Sequence, residues 1–311
     1  MNMPFGLMFH HFHGGLHKPD KANSLSGYQF EKILNYIGIK NIISPDQWIA
    51  AAENGELKPN YRCLTFDDGL KNQFDIALPV LQKYKLKAFW FIYSAQYEGE
   101  FPRLDIFRRF RYHYYDDIED YYKDFFSQTD ITISKKNSKY EDWKKTFLLI
   151  APFYSENDLK YRYARDVLLG PTKYYSIVEK MIKSRNLSLV DLTSELWLTE
   201  SNLHFLSKQG HILGMHSYDH PTDLKKLNEC EQKNQYTRNM TFIKKFKTNP
   251  ISMSHPCNSY SELTLKILSQ MGIKVGFRAN MNQKNIFVSY KNLQFQREDA
   301  TNILRSLTKF H

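Results

Sequence analysis

The chain has 311 residues, 42% hydrophobic and 15% aromatic, with a formal charge of +10. That length holds one large domain, or one domain with a substantial insertion, and the apolar content supports a sizeable core. No run of about 18 apolar residues occurs, which excludes a membrane-spanning helix, and the charge favours anionic partners.

Met3 to Phe9, "MPFGLMF", reads as a short buried strand. Ser26 to Ile37 reads as a helix with Phe30, Ile33, Leu34 and Ile37 on one face. "SPDQ" at 44–47 is a capping box with proline at the first helical position, and it opens a second helix. "YRCLTF" (61–66) is a strand, "KNQFDIALPVLQKY" (71–84) a helix and "KAFWFIY" (87–93) the next strand. Such alternation argues for a mostly parallel α/β architecture. From about 96 to 195 the alternation stops, and charged, tyrosine-rich helical periodicity replaces it. A helix near 200–208 and the strand "HILGM" (211–215) follow, then a helix from about Glu229 to Lys247 and the strand "ISMS". A helix from about Tyr260 to Met271 with a Ser259/Glu262 capping box and the strand "KVGFRA" (274–279) complete the series. The reading is a barrel-like α/β domain, 1–95 with 196–311, interrupted by a helical insertion over 96–195. About 100 residues is unusually long for a connection inside a compact domain.

Cys63, Cys230 and Cys257 are widely spaced and odd in number, which argues against a disulfide framework. The start of the chain lacks the basic-then-apolar order of a secretory signal, so a cytoplasmic location is expected. There is no long basic run and no nucleic-acid motif. A phosphate-bearing small molecule is therefore the expected anionic partner, and nucleic acid is not.

Three stretches carry chemistry. In "TFDDGL", Asp67 and Asp68 follow an apolar strand, and Gly69 lets the chain turn. Residues just past strand C-termini form the active sites of α/β barrels. Adjacent side chains diverge, so the two carboxylates can take separate tasks; a turn with an Asp helix cap explains the same letters. In "GMHSYDHP", His216 and His220 lie four apart, and on a helical turn both imidazoles would share a face. Two histidines and one carboxylate leave an open coordination position, the pattern of a catalytic zinc. In "LMFHHFHGG", His10, His11 and His13 crowd four positions, which raises the alternative that they form the metal cage.

"TFDDG" and "HSYDH" resemble the first and second motifs of the polysaccharide deacetylase family (NodB homology, carbohydrate esterase family 4). The resemblance covers the α/β part and not the helical insertion. It implies a distorted (β/α) barrel of NodB type and a hydrolase that removes an N-acetyl group from an amino sugar or its precursor, as in surface-polysaccharide assembly. It implies Asp67 as general base and one divalent ion, zinc first, on Asp68, His216 and His220, with Ser217 orienting the loop. The third motif, R-x-P-Y in the family, departs here: "SHPCNSY" keeps Pro256 but has Ser254 in place of the arginine. Arg297 in "QREDA" is a distant substitute, or else one half of a surface salt bridge. The family's last motif, L-x-H, would fall on "LTKFH", whose terminal His311 is expected to be poorly ordered. "LMFH" instead resembles the "LMYH" strand of members whose acid histidine has moved to the N-terminal end. That makes His10 the general acid, with His11 pointing away.

His255, Pro256, Tyr260, Arg297 and His13 are the candidates for the substrate side, against ordinary packing. The insertion is expected to be a cap, a lid or a homo-oligomer interface. Its stretch "FRRFRYHYY" (107–115) offers arginine and aromatics to a nucleotide- or lipid-linked sugar, or simply builds the insertion's own core. Two other readings stay open: hydrolysis of another amide (an N-formyl sugar or a cyclic amide), and a non-catalytic sugar-binding protein with a vestigial site, for which the missing motif arginine argues.

Overall fold

The computed structural model describes residues 3–19, 24–134, 137–148, 154–246, 250–282 and 286–308; His311 lies outside these. The chain divides into two compact units, Met1–Pro102 with Glu195–His311, and Arg103–Ser194.

The first unit is built on seven parallel strands: β1 (Phe5–Phe9), β2 (Arg62–Asp67), β3 (Phe89–Ile92), β4 (Ile212–Met215), β5 (Ser252–Ser254), β6 (Val275–Phe277) and β7 (Arg297–Asp299). Their order in the sheet is β6-β5-β4-β3-β2-β1-β7. Strands covered on both faces must be apolar throughout, and every residue of "FGLMF" and "FWFI" is buried. The sheet curls into a nearly closed barrel. Phe277 of β6 meets Phe89 and Phe91 of β3, three strands away, at ring-centroid distances of 5.2 and 5.6 Å. At the seam, Phe295 donates its N–H to Gly276 and accepts from Arg278, while Gly6 of β1 donates to Gln296. Residues 295–297 thus join the two edges. The architecture is a distorted (β/α) barrel.

Helices α1 (Gly27–Ile37), α2 (Pro45–Asn54) and α3 (Leu78–Lys83) precede the second unit. The expected capping box forms, Ser44 with Gln47, and Ser26 makes a further one with Gln29. Phe30 of α1 packs edge-on to Phe9 at 4.8 Å, and Phe66 stacks on Trp90 at 4.5 Å, which fastens α1 to the outside of β1–β3. The helix expected over 71–84 is interrupted: Gln73–Ala77 forms a π turn before α3. Pro79 has no N–H to return to Asp75, so the regular ladder cannot run through.

In the second unit lie α4 (Arg103–His113), α5 (Ile118–Ser127), α6 (Ser138–Leu148), α7 (Glu156–Tyr163) and α8 (Gly170–Ser184). The hydroxyls of Tyr121, Tyr161 and Tyr174 form a buried chain, 3.2 and 2.7 Å apart. Arg111 is buried with its guanidinium over Tyr112 and Tyr161. Much of "FRRFRYHYY" therefore builds this unit's own interior: Phe107, Phe110 and Arg111 are all buried.

After it come α9 (Glu200–Lys208), α10 (Glu229–Lys244), α11 (Glu262–Gln270) and α12 (Ala300–Thr308). The Ser259/Glu262 box does not form; Ser261 caps α11 with Thr264. Ser259 is used elsewhere, donating to Asp223 and accepting from the Lys225 N–H. Cys257 and Asn258 take positive φ, so the chain is still turning where the expected helix would begin. β7 and α12 are additions to the elements expected from the sequence.

Gly276 carries the seam. A Cβ there would lie 2.5 Å from the Leu293 carbonyl oxygen, a backbone atom that cannot rotate away. Gly276→Ala is expected to cost about 1–3 kcal/mol, the range for overpacking. It should lower the urea midpoint at constant slope; an unchanged midpoint would show that the seam can relax.

Candidate active site

Asp67 ends β2 and is 2% exposed. A carboxylate so buried needs a partner, and Arg297, the first residue of β7, supplies it with a two-pronged ion pair, Nη1 to Oδ1 and Nη2 to Oδ2, both 2.7 Å. Register sets this up: Gly6 pairs with Arg297, and a Cβ at Gly6 would be 3.1 Å from the Arg297 Cγ. The other guanidinium donors go to the Arg278 carbonyl, Thr65 Oγ1 and Ser254 Oγ. Ser254 in turn donates to Asp67 Oδ2 at 3.1 Å. Serine at the position of the motif arginine leaves room for a guanidinium arriving from β7, across the seam. Burial pushes the Asp67 carboxyl up, but Arg297 and His216 outweigh it and hold the group ionised below the usual carboxylate range.

Asp68 turns away at φ 75°, and Gly69 follows at 64°. Left-handed backbone is costly for a residue other than glycine and gathers at functional sites. The turn aims Asp68 at the histidines. Its Oδ1 lies 3.4 Å from His216 Nε2 and 3.5 Å from His220 Nε2. Among the described residues this is the one cluster of three suited to hold a metal ion, all of it buried. The donors fit such an ion. Asp68 Oδ1, the oxygen that faces both imidazoles, is buried and has no hydrogen-bond partner among the described residues. Ligands about 2.0–2.1 Å from a tetrahedral zinc lie about 3.4 Å apart, the separation seen here. His216 Nδ1 donates to the Ser254 carbonyl at 2.8 Å, which leaves Nε2 facing the cluster. Burial raises Asp68, but His216 and His220 hold it far below the usual range. Burial and His216 push His220 down to about 4, so its imidazole is neutral, as ligation requires. The 216–220 segment is not the expected helical turn: Ser217 and His220 take positive φ, and Ser217 Oγ accepts the His220 N–H.

His10 stands across from the base, its Nε2 3.8 Å from Asp67 Oδ2. Gln73, fully buried, donates to both the His10 and the Asp67 carbonyls and so ties the ends of β1 and β2 together. His11 does not point to the opposite side: its ring lies near-parallel to that of His10, with centroids 6.3 Å apart. β1 stops at Phe9, so strand alternation no longer governs these neighbours. His13 bonds Ser24 and lines a groove of about 390 Å³ with Tyr28, Lys32 and Leu304, to which neither Asp67 nor Asp68 contributes. The three histidines do not form the metal cluster. His255 is buried, its Nε2 committed to the Leu293 carbonyl at 2.8 Å and its ring stacked on Tyr260 at 4.2 Å. Burial pushes it down to about 3, so it is a neutral brace beneath the loop that starts at the buried Pro256. Ser254, Thr65, Tyr93 and Trp197 were not foreseen as parts of the centre. Tyr93 lies 5.7 Å from the His220 ring and accepts from Trp197 Nε1, while the flanks of Trp197 pair with Gly69 and Lys71.

Removing Arg297 would strand a buried charge, which costs about 3–5 kcal/mol. The stability from a depressed carboxyl is complete above its ordinary value of 3.8 and is lost as pH falls through the lowered folded value. Arg297→Met leaves burial dominant and raises the Asp67 pKa. Lower stability at neutral pH and an acid-unfolding midpoint shifted upward are expected in urea and pH titrations. Arg297→Lys should recover only part, since one ammonium cannot span both oxygens. Wild-type stability in Arg297→Met would refute the importance of the pair.

A family described as polysaccharide deacetylase has a sequence model that matches residues 54–114 and 139–276. The match includes all four of Asp67, Asp68, His216 and His220, and it extends into the second unit, which the motif resemblance did not cover; His10 and Arg297 lie outside it. No curated protein matches the chain in sequence. In fold, the chain is similar to the Streptococcus pyogenes deacetylase PplD, solved in complex with acetate, with a TM-score of 0.58 and 16% identity over 99% of this chain and 97% of that one. It is similar also to IcaB from Ammonifex degensii, with a TM-score of 0.57 and 12% identity over 100% and 97% of the two chains. A de-N-acetylase from Aggregatibacter actinomycetemcomitans gives a TM-score of 0.52 and 13% identity over 99% and 98%. With more than half of its length matched by that sequence model, the chain belongs to the polysaccharide deacetylase family.

Proposed function

We propose that this deacetylase is a metal-dependent hydrolase that removes the N-acetyl group from an amino sugar of a surface polysaccharide or of its precursor. One observation carries the reading: an ionised carboxylate locked to Arg297 stands directly beside a carboxylate–imidazole–imidazole cluster, with His10 facing the same carboxylate. A vestigial site would lack a guanidinium at the base, whereas Arg297 brings one to Asp67 from the last strand. Acetate in the PplD complex supports acetyl as the acyl group.

Asp68, His216 and His220 would hold the ion. A divalent ion bound there supplies Lewis acidity, polarising the amide carbonyl and lowering the pKa of water. Asp67, kept ionised by Arg297, accepts the proton of the attacking water. The pair also fixes the carboxylate's orientation, so little reorganisation is needed as the charge moves. His10, one-third exposed at the side chain, can reach substrate and donates its proton to the leaving amine. Water adds to the acyl carbon, the C–N bond breaks, and acetate and an amino sugar leave. No helix among the described residues is long and apolar enough to cross a membrane.

Purified protein loaded with zinc, assayed for acetate release from N-acetylated oligosaccharides and sugar precursors, tests the reading. His216→Ala should lose stoichiometric metal; full retention, or an ion held by His10, His11 and His13, would overturn the ligand assignment. Asp67→Asn should keep the metal and lose about 10²–10⁴ in kcat, the range for a general base. Near-wild-type turnover in that variant would remove Asp67 from the mechanism. His10→Ala should lower kcat much more than His11→Ala, since His10 is the one that faces Asp67. Equal losses would mean that the acid is not His10.

A further inference from the structure

The ladder between β3 and β4 is broken at the point where the first histidine leaves the sheet. Ile212 donates to the Ala88 carbonyl, and the register runs Phe89 with Ile212 through Ile92 with Met215. Parallel ladders advance by two residues, so the next bonds would run from Gly214 to Trp90 and then from His216 to Ile92. The last of these is absent. The side chain of Asn239, from α10, occupies its place. Its Oδ1 accepts the His216 N–H at 3.0 Å, and its Nδ2 donates to the Ile92 carbonyl at 2.9 Å and to Ser94 Oγ at 3.1 Å. Asn239 is fully buried and sits in the gap as a surrogate peptide group.

One turn earlier on the same face, Gln235 repeats the device. Its Oε1 accepts the Tyr218 and Asp219 N–H groups at 3.0 and 3.2 Å, and its Nε2 donates to Asp219 Oδ1 at 2.8 Å. Arg238 completes the face with its guanidinium 3.4 Å above the Tyr218 ring. The Tyr218 carbonyl accepts from the Ser94 and Ala95 N–H groups at 2.8 and 2.9 Å. Positions 235, 238 and 239 are neighbours on a helix surface, and all three serve the segment that carries His216 and His220. That segment includes two residues in left-handed backbone, which persist only when their surroundings over-determine them.

We infer that Asn239 and Gln235 are positioning residues for the metal centre: their side-chain amides splay β4 from β3 and pin the 216–219 backbone so that both imidazoles converge on Asp68. The inference rests on the proposed metal-binding role of Asp68, His216 and His220. An ordinary ladder bond at His216 would carry the chain on as strand, and at about 3.3 Å per residue His216 and His220 would then stand about 13 Å apart instead of converging on Asp68. The two amides spend their donors and acceptors on the 216, 218 and 219 N–H groups, the Ile92 carbonyl, Ser94 and the Asp219 carboxylate, so the arrangement is defined rather than merely packed.

The test measures metal affinity and coordination, with catalysis left aside. Wild type, Asn239→Leu, Asn239→Asp and Gln235→Met are titrated with cobalt(II) and zinc(II) against a chelator of known affinity. The cobalt ligand-field spectrum reports geometry, and circular dichroism of the metal-free proteins reports folding. Asn239→Leu is expected to bind about 10–100-fold more weakly, the cost typical of residues that orient metal ligands, with an altered cobalt spectrum. Asn239→Asp, which keeps the acceptor for His216, should recover part of the affinity. Gln235→Met, at a half-buried position, should weaken binding in a folded protein and so carries the test if Asn239→Leu does not fold. Folded variants with wild-type affinity and spectrum would overturn the inference alone. Failure of the wild type to bind one ion would overturn it together with the metal reading.

Discussion

The buried pairing of Asp67 with Arg297 is the constraint on which the rest of this structure turns. Two opposite charges, 2% and 1% exposed, are tolerable only if each has its full set of hydrogen bonds. The guanidinium meets that demand: its five donors reach Arg278, Thr65, both oxygens of Asp67 and Ser254. None of these partners is on its own strand, so the pair forms only when β7 is seated beside β1 and the seam through Phe295 is joined. Closing the barrel and orienting the candidate base are thus one event. The geometry of the carboxylate is set by fold stability as a whole and not by a local loop.

Around that pair, one strand end serves two tasks. Asp67 keeps extended backbone and turns toward the arginine. Asp68, the next residue, enters left-handed backbone and turns toward the histidines. The same low-dielectric interior then acts on each with different partners. It favours a fixed anion at Asp67, beside a cation that cannot lose its charge. At Asp68 it keeps an oxygen without hydrogen-bond donors, facing two imidazoles. Ser254 links the two halves, since its hydroxyl touches Asp67 and Arg297 while its carbonyl holds His216. A small side chain at 254 is what lets both happen.

Polar side chains carry much of the architecture near this centre. Gln73 joins the ends of β1 and β2, Asn239 joins those of β3 and β4, and His255 braces the turn after β5. Where parallel strands fan apart at their C-terminal ends, peptide groups lose their neighbours, and buried amides and an imidazole take over. This explains why α10 buries Asn239 alongside Tyr236 and Phe242, against the usual amphipathic pattern; Gln232, also buried, donates to the Leu227 carbonyl and accepts from Thr264 of α11.

What the sequence determined by itself was whatever is local. Strand–helix alternation, the capping box at Ser44, and the adjacency of "TFDDG" and "HSYDH" to strand ends are short-range signals, because rises, caps and turns depend on residues a few positions apart. They sufficed for a parallel α/β barrel and for the two stretches that bear Asp67, Asp68, His216 and His220. The tertiary structure decided the rest. Arg297 and Asp67 are 230 residues apart in the chain, and nothing in "QREDA" distinguishes a buried tether from a surface ion pair until β7 finds its register with β1. His10, His11 and His13 look alike in a row. They separate only because β1 ends at Phe9, which frees His11 from alternation, and because the turn after it carries His13 into another groove. His216 and His220, spaced as on a helical turn, converge instead through a non-helical bend held by amides from α10. Short-range periodicity cannot encode a contact whose partners meet only after the chain has closed on itself.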